Sequence, residues 1–254
     1  MKKLLSLALC AAAATTFAAD EITLGDEIGV IRVELADGQK NTIIAASFTD
    51  LAKDGKVSIA NLIKTTNLEA GAQIIRYKAD GTHEAWNLTA AGKWESAAAT
   101  VTQDADGGTT TGTGDDPASA TATVGEGLWI VRGATATPNA VIAIYGKYTA
   151  NRTTEITAGA WNLVGNAGLK PYTFTGGTAG DKLIAVQNGA RREYTHDGTK
   201  WTYSKHTTET VKFMGKDTVV AKETAVAENP TIAPGEGFWY HTGTAQTVSW
   251  KDAE

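Results

Sequence analysis

Cysteine is nearly absent from this chain of 254 residues, whose single cysteine is Cys10. Cys10 lies in an N-terminal segment where two lysines start a short apolar run and small residues precede Asp20. This pattern predicts a secretory signal peptide over residues 1–18, cleaved after Ala18, and the run is shorter than the ~20 apolar residues of a membrane-spanning helix. The exported chain would lack cysteine, which excludes disulfides and thiol chemistry and leaves stability to core burial and hydrogen bonding.

Basic residues are also in deficit, with 23 lysines and arginines against 28 acidic residues and a net charge of −5. Removal of Lys2 and Lys3 with the signal peptide would make that charge more negative. An acidic chain is a poor partner for nucleic acid or anionic membranes, so neither is expected. The lysine pair and the alanine-rich segment are typical of bacterial export, which predicts a secreted, periplasmic or cell-surface location.

Motifs that carry catalysis are missing as well. The histidines show neither HxH nor HExxH spacing, so no metal site is predicted; they are His83, His196, His206 and His241. No Gly-x-Ser-x-Gly elbow, phosphate-binding loop or dinucleotide motif is present, and the stretch from Asp104 to Asp115 departs from a calcium-binding loop at several ligand positions. Glu126 and Glu236 are a candidate pair of catalytic carboxylates for glycoside cleavage, but their equivalent positions in a repeat favour a shared structural role. The sequence therefore predicts a non-enzyme without a cofactor.

An internal repeat is the strongest feature that the chain does have. VGEGLWI begins at Val124 and PGEGFWY begins at Pro234. Further matches precede this motif in the same order and at nearly the same offset, and they pair Gly71 with Gly180, Trp86 with Tyr194, and Trp94 with Trp201. Such self-similarity predicts two tandem modules of about 110 residues, over residues 20–135 and 136–254. The repeated structural motif consists of Gly125, Gly127 and Trp129 in the first copy and Gly235, Gly237 and Trp239 in the second.

Each copy has the sequence pattern of antiparallel strands. Residues 73–78 (QIIRYK) and 83–88 (HEAWNL) flank an Asp-Gly turn, and residues 182–187 and 190–195 repeat the arrangement around Asn-Gly. The sequence predicts an all-β fold in which each module is an antiparallel β-sandwich or barrel-like unit, with little helix. Residues 57–63 (VSIANLI) are predicted to be strand.

A strand that precedes each copy of the repeat, here called a header strand, is expected at residues 29–35 and at residues 140–145. Residues 246–250 lie where a third header strand would come. Residues 140–145 (AVIAIY) lack alternation, which predicts burial on both faces.

The two copies differ in one segment, here called the arm, which precedes the Gly-Glu-Gly motif in each copy. Residues 103–123 are rich in Gly, Thr, Asp and Ala without apolar periodicity, which predicts a mobile loop that buries no core. The corresponding residues 211–232 contain the strand-like VVAKETAV. A divergent arm on a shared scaffold is where specificity is expected.

Tryptophan is abundant, and its seven residues have different expected roles. Trp129 and Trp239 are flanked by apolar residues in both copies, which predicts core positions. Trp94 and Trp201 follow lysines near turns and, with Tyr203, are the candidate residues for stacking on glycans.

The Pro-Gly-x-Gly-Phe-Trp motif at Pro234–Trp239 resembles the closing strand of uncharacterised secreted β-rich bacterial proteins. In the first half Val124 replaces the proline and Leu128 replaces the phenylalanine. The resemblance implies export and a β fold, and it brings no activity and no catalytic residue.

Two functions follow as hypotheses. One is a secreted, non-catalytic surface or extracellular structural protein that assembles with itself through edge strands. The alternative is a carbohydrate-binding protein that uses Trp94, Trp201 and Tyr203 as exposed platforms.

Overall fold

The fold is known from a computed structural model, which describes residues 28–35, 37, 39–49, 57–66, 68–78, 81–101, 110–113, 115–117, 119–133, 137–148, 152–187, 190–213 and 216–250. The predicted signal peptide lies outside these residues. Within them the protein is almost entirely antiparallel β structure, which confirms the all-β prediction.

The first half contains twelve strands and one short helix: β1 Ile28–Glu34, β2 Asn41–Ala45, β3 Val57–Ser58, α1 Ile59–Leu62, β4 Ile63–Thr66, β5 Gln73–Tyr77, β6 His83–Leu88, β7 Trp94–Ser96, β8 Ala98–Val101, β9 Thr110–Thr113, β10 Thr121–Ala122, β11 Gly127–Val131 and β12 Val141–Lys147. The second half contains ten strands: β13 Arg152–Ile156, β14 Trp161–Gly165, β15 Tyr172–Thr173, β16 Lys182–Gln187, β17 Ala190–His196, β18 Trp201–Phe213, β19 Lys216–Ala227, β20 Thr231–Ile232, β21 Gly237–His241 and β22 Gln246–Trp250. The prediction of strand throughout residues 57–63 is wrong at its centre, where α1 interrupts the strand.

The main sheets of the two halves share the order of their first five strands, and the second half has one strand more. The main sheet of the first half has the order β2-β11-β5-β6-β7, and that of the second half has the order β14-β21-β16-β17-β18-β19. Smaller sheets also correspond, because β1 pairs with β12 as β13 pairs with β22, and β3 pairs with β10 as β15 pairs with β20. The match between the halves therefore extends from sequence motifs to strand order.

Strand register places the matched residues at equivalent positions. Trp129 lies opposite Ile75, and Trp239 lies opposite Ile184. On the next strand pair, Trp86 lies opposite Ile74 as Tyr194 lies opposite Leu183. The residue-level matches inferred from the sequence agree with these registers.

Strand β12, which the sequence assigns to the second module, packs with the first half of the chain. β12 pairs with β1 and sends Ile142 and Ile144 into the first core. Residues 141–147 thus close the first unit, as β22 closes the second, and the second header strand is β13. The boundary predicted at residues 135 and 136 would separate β12 from β1, the strand with which it pairs. The expectation that residues 140–145 are buried on both faces is wrong, because burial along β12 alternates.

The segment at residues 103–123 is not wholly a loop without core residues. Its described part contains β9 and β10, and Ala120 and Ala122 are buried in the first core. The prediction is wrong for these residues because alanine and threonine supply a small buried face without any apolar periodicity. Residues 103–109, 114 and 118 of this segment lie outside the described residues.

The two units interlock along a seam formed by β2 and β14 and by the turns that precede β11 and β21. The Ala45 N–H donates to the Gly235 carbonyl at 2.8 Å, and the Gly165 N–H donates to the Gly125 carbonyl at 2.9 Å. Ala45 and Gly165 occupy equivalent register positions, opposite Gly127 and Gly237 respectively. The two halves therefore exchange the same hydrogen bond in both directions, as a pseudo-two-fold arrangement requires.

Aromatic side chains cover one side of this seam. Trp129 and Trp239 meet edge to face with their ring centroids 6.4 Å apart, and Tyr77 packs edge to face on Trp239 at 4.5 Å. Ile43, Leu163 and Ile184 join the cluster. Trp239 is buried as predicted, whereas Trp129 is half-buried because it lies at the margin of the seam.

Candidate functional site

The Gly-Glu-Gly motifs form tight turns. Residues 123–126 and 233–236 each close with a hydrogen bond from the glutamate N–H to the carbonyl three residues earlier, at 3.0 and 3.1 Å. Gly125 and Gly235 have φ angles of 87° and 79°, which suits the third position of a type II turn, and Pro234 suits the second. The motif therefore recurs because both turns need a glycine at this position and because both pack into the seam.

The glutamates of the motif have structural partners. The Glu126 carboxylate accepts the Thr123 N–H at 2.9 Å, and the Glu236 carboxylate accepts the Ala233 N–H at 3.1 Å. Glu126 also pairs with Arg76 at 2.6 Å. Each carboxylate thus holds its own turn, and nothing in this geometry pairs the two as acid and base.

Two of the three candidate glycan-stacking residues are in the core. Trp94 is 6% exposed and Trp201 is 0% exposed, and the Trp201 indole N–H donates to the Gly176 carbonyl at 3.0 Å. The prediction that these rings are exposed is wrong, because the lysine that precedes each one points to solvent while the alternation of the strand turns the tryptophan inward. Trp250 is also buried, at 2% exposure.

Tyr203, the third candidate, is half-buried and lies at an opening of the second sheet. Its ring packs edge to face on Tyr194 with the centroids 5.4 Å apart, and the Arg192 guanidinium lies over it, 5.2 Å from the ring centroid. Tyr203 is therefore the only one of the three that reaches a surface where a ligand could bind.

The histidines do not converge on a metal site. His83 and His196 are buried on β6 and β17, which are equivalent strands of different sheets. Among the residues that the structure describes, no group of three or more His, Cys, Asp or Glu side chains could hold a metal ion.

The arms that differ in sequence also differ in structure. In the first half β8 and β9 have four residues each, form a separate two-stranded sheet and contact β6 of the main sheet. In the second half β18 and β19 have 13 and 12 residues and form a hairpin paired from Thr202–Ala227 to Phe213–Lys216. Residues 204–210 of β18 are all exposed. This hairpin is the most distinctive surface feature of the second half.

A cleft opens at the base of the hairpin. β17 and β18 are paired only over three positions, which end at Tyr194 opposite Tyr203. β17 continues to Ala190 on one side and β18 continues to Phe213 on the other, so that the strands part and leave a cleft of about 780 Å³. Its ionisable lining residues are Arg191, Arg192, Glu193, Lys205 and His206. No sequence motif marks the arginines or Lys205, because only the separation of the two strands brings them together.

The turn that leads into β18 is fixed by Asp197. Hydrogen bonds from the Thr199 hydroxyl at 2.7 Å and from the Lys200 N–H at 2.9 Å lower the pKa of the exposed Asp197 carboxyl from 3.8 to about 2. We expect Thr199→Val to raise this pKa, because the substitution removes the strongest of these bonds. A carboxyl carbon NMR titration measures the shift. Thr202→Val, which removes a hydroxyl bound to the Thr195 carbonyl, should leave the Asp197 pKa unchanged, and an equal shift in both variants would contradict this assignment.

No helix in the described part of the chain has the length and apolar character needed to cross a membrane. No protein-family model, no curated protein and no solved structure matches this chain.

Proposed function

We propose that this protein is an exported, non-catalytic surface or extracellular structural protein that assembles with itself through the outer edge of the β18–β19 hairpin. The observation that carries the proposal is the hairpin's length combined with its exposure. β19 is the last strand of its sheet and, within the described residues, pairs only with β18. Its outer edge therefore offers up to 12 residues of backbone for pairing with another strand.

A hairpin of this length is costly to order. Ordering the backbone costs about 1–2 kcal/mol per residue, and a two-stranded hairpin alone is marginal in water. Residues 204–210 and 221–225 of the hairpin are all exposed, so these residues add little apolar burial within a single chain. Pairing with a second copy would add backbone hydrogen bonds and burial that the single chain lacks.

The charges of the hairpin favour association over repulsion. Residues 204–227 carry four lysines against three carboxylates. Lys222 pairs with Glu209 across the hairpin at 3.0 Å, and Lys212 lies opposite Asp217. Lysines at an edge normally oppose pairing, but with four lysines and three carboxylates the hairpin sequence carries a formal charge of only +1.

A shortened hairpin tests the proposal. Lys205 and Thr224 face each other in the register, so residues 206–223 can be replaced by an Asn-Gly turn. We expect the parent mature chain to show concentration-dependent association in sedimentation velocity, and the shortened chain to remain monomeric at the same concentrations. The thermal unfolding midpoint should stay the same, because the body of the unit is unchanged.

Lys222→Gln is the matched control, since it removes an ion pair of the hairpin while keeping the backbone edge. It should associate like the parent chain, because edge pairing uses main-chain hydrogen bonds. A parent chain that is monomeric at all concentrations, or a shortened chain that still associates, would overturn the proposal.

A further inference from the structure

We propose that the cleft between β17 and β18 binds an acidic saccharide through its carboxylate groups. The inference does not depend on self-association, because the cleft is formed by one chain and lies at the base of the hairpin. It assigns a binding role to Arg191, Arg192 and Lys205.

The first support is the local charge. The cleft is lined by three basic side chains, Arg191, Arg192 and Lys205, and by one acidic side chain, Glu193, and Glu228 borders it through its contact with Arg192. The whole chain has the opposite balance, with a net charge of −5. A concave surface with an excess of one charge focuses the electrostatic potential, and a cleft with more basic than acidic side chains on an acidic protein attracts an anionic ligand selectively.

The second support is that the cations can change partners. Arg192 contacts Glu228 at 3.0 Å, and Arg191 contacts Glu193 at 3.6 Å. These side chains are 37% to 58% exposed, and ion pairs at such positions contribute little to stability. A ligand carboxylate can therefore replace the internal partner at low cost and form a bidentate bond with a guanidinium group.

The third support concerns the rest of the lining, which matches a saccharide better than a peptide. Thr195, Thr202 and Ser204 supply hydroxyl groups, and Tyr203 supplies an aromatic ring with a polar end. The purely aliphatic lining residues are Ala190 and Ala225. Peptides that add to a sheet edge obtain specificity from pockets for alternate side chains, and two alanines provide no such pocket.

The test measures binding of the mature chain to polygalacturonate by isothermal titration calorimetry, with alginate as a second polyuronate and dextran as the neutral polymer. We expect binding to the polyuronates and none to dextran. The double variant Arg191→Gln/Lys205→Gln should lose at least about tenfold in affinity for the polyuronates, because charge-assisted hydrogen bonds are stronger than neutral ones. Its residues are exposed, so its fold should be retained, and circular dichroism checks this.

The matched control is Lys212→Gln/Lys216→Gln, which removes the same charge from exposed positions near the hairpin tip. It should bind within about twofold of the parent chain, because these positions lie outside the cleft. Dextran sulfate distinguishes a sulfate from a carboxylate as the anionic group. Absence of binding to both polyuronates, an equal loss in the control variant, or tighter binding to polyglutamate than to the polyuronates would overturn the inference.

Discussion

Glu69→Ala is expected to lower the free energy of unfolding by about 3–5 kcal/mol, because it leaves a buried guanidinium group without its carboxylate. The Arg132 side chain is 1% exposed and contacts Glu69 at 2.9 Å. Arg132 also donates to the carbonyls of Gln39 and Thr137, at 3.2 and 2.6 Å. The pair thus joins the connections before β2, before β5 and after β11. Urea unfolding at pH 7 measures the loss.

Lys222→Ala provides the matched comparison, because it breaks an ion pair whose side chains are 56% and 48% exposed. Its expected cost is below about 0.5 kcal/mol. Similar effects of the two substitutions would show that the Arg132–Glu69 pair contributes no more than a surface pair.

The contribution of Glu69 should also depend on pH. Burial acts to raise the pKa of the Glu69 carboxyl, but hydrogen bonds from Arg132 and from the Thr137 N–H lower it, and the net shift is downward from 4.5. The unfolded chain therefore takes up the proton more readily than the folded chain. The stabilisation is complete above about pH 4.5 and is lost as the pH falls through the lower folded value. The difference in stability between the parent chain and Glu69→Gln should become smaller over this acidic range.

Gly165→Ala is expected to destabilise the protein by about 2–3 kcal/mol, in the upper part of the range for overpacking. A Cβ at this position would overlap the Cα and Cβ atoms of Ala45 and lie 3.0 Å from the Glu126 carbonyl oxygen. These neighbours are mainly backbone, so the clash cannot be relieved by a rotamer change. The two halves would have to separate at the seam and weaken the hydrogen bond from Gly165 to Gly125.

Gly176→Ala is the control, since no atom lies within 4 Å of the added Cβ. Its expected effect is within about 0.5 kcal/mol. Thermal unfolding followed by circular dichroism at pH 7 compares the two. If Gly165→Ala had the same thermal unfolding midpoint as the parent chain, the seam would not be a close backbone contact.

Much of the fold could be predicted from local sequence patterns. The turn at Gly125 has its counterpart at Gly235, and the register of Trp129 is the register of Trp239. Turn chemistry and side-chain alternation act over a few residues, so the repeated motif carries this information within itself. The unit boundary could not be read in this way, because a header strand and a closing strand have the same pattern until their partners are known.

The candidate site was harder to predict. Trp94 and Trp201 each follow a lysine near a turn, a sequence context typical of exposed residues, yet both are buried. Arg191 and Lys205 are 14 positions apart in sequence and line one cleft only because β17 and β18 separate after Tyr203. Exposure and convergence of side chains depend on how strands pack, which no single strand specifies.

The sequence by itself determined that the chain forms antiparallel strands, that its two halves repeat one pattern, and where glycine is needed in the turns, since these properties arise from interactions between near neighbours. Only the tertiary structure decided which tryptophans are buried, how the halves interlock through Ala45 and Gly165, and where a basic cleft opens. The physical reason is that burial and electrostatic potential are set by residues that are distant in sequence and meet only in the folded chain.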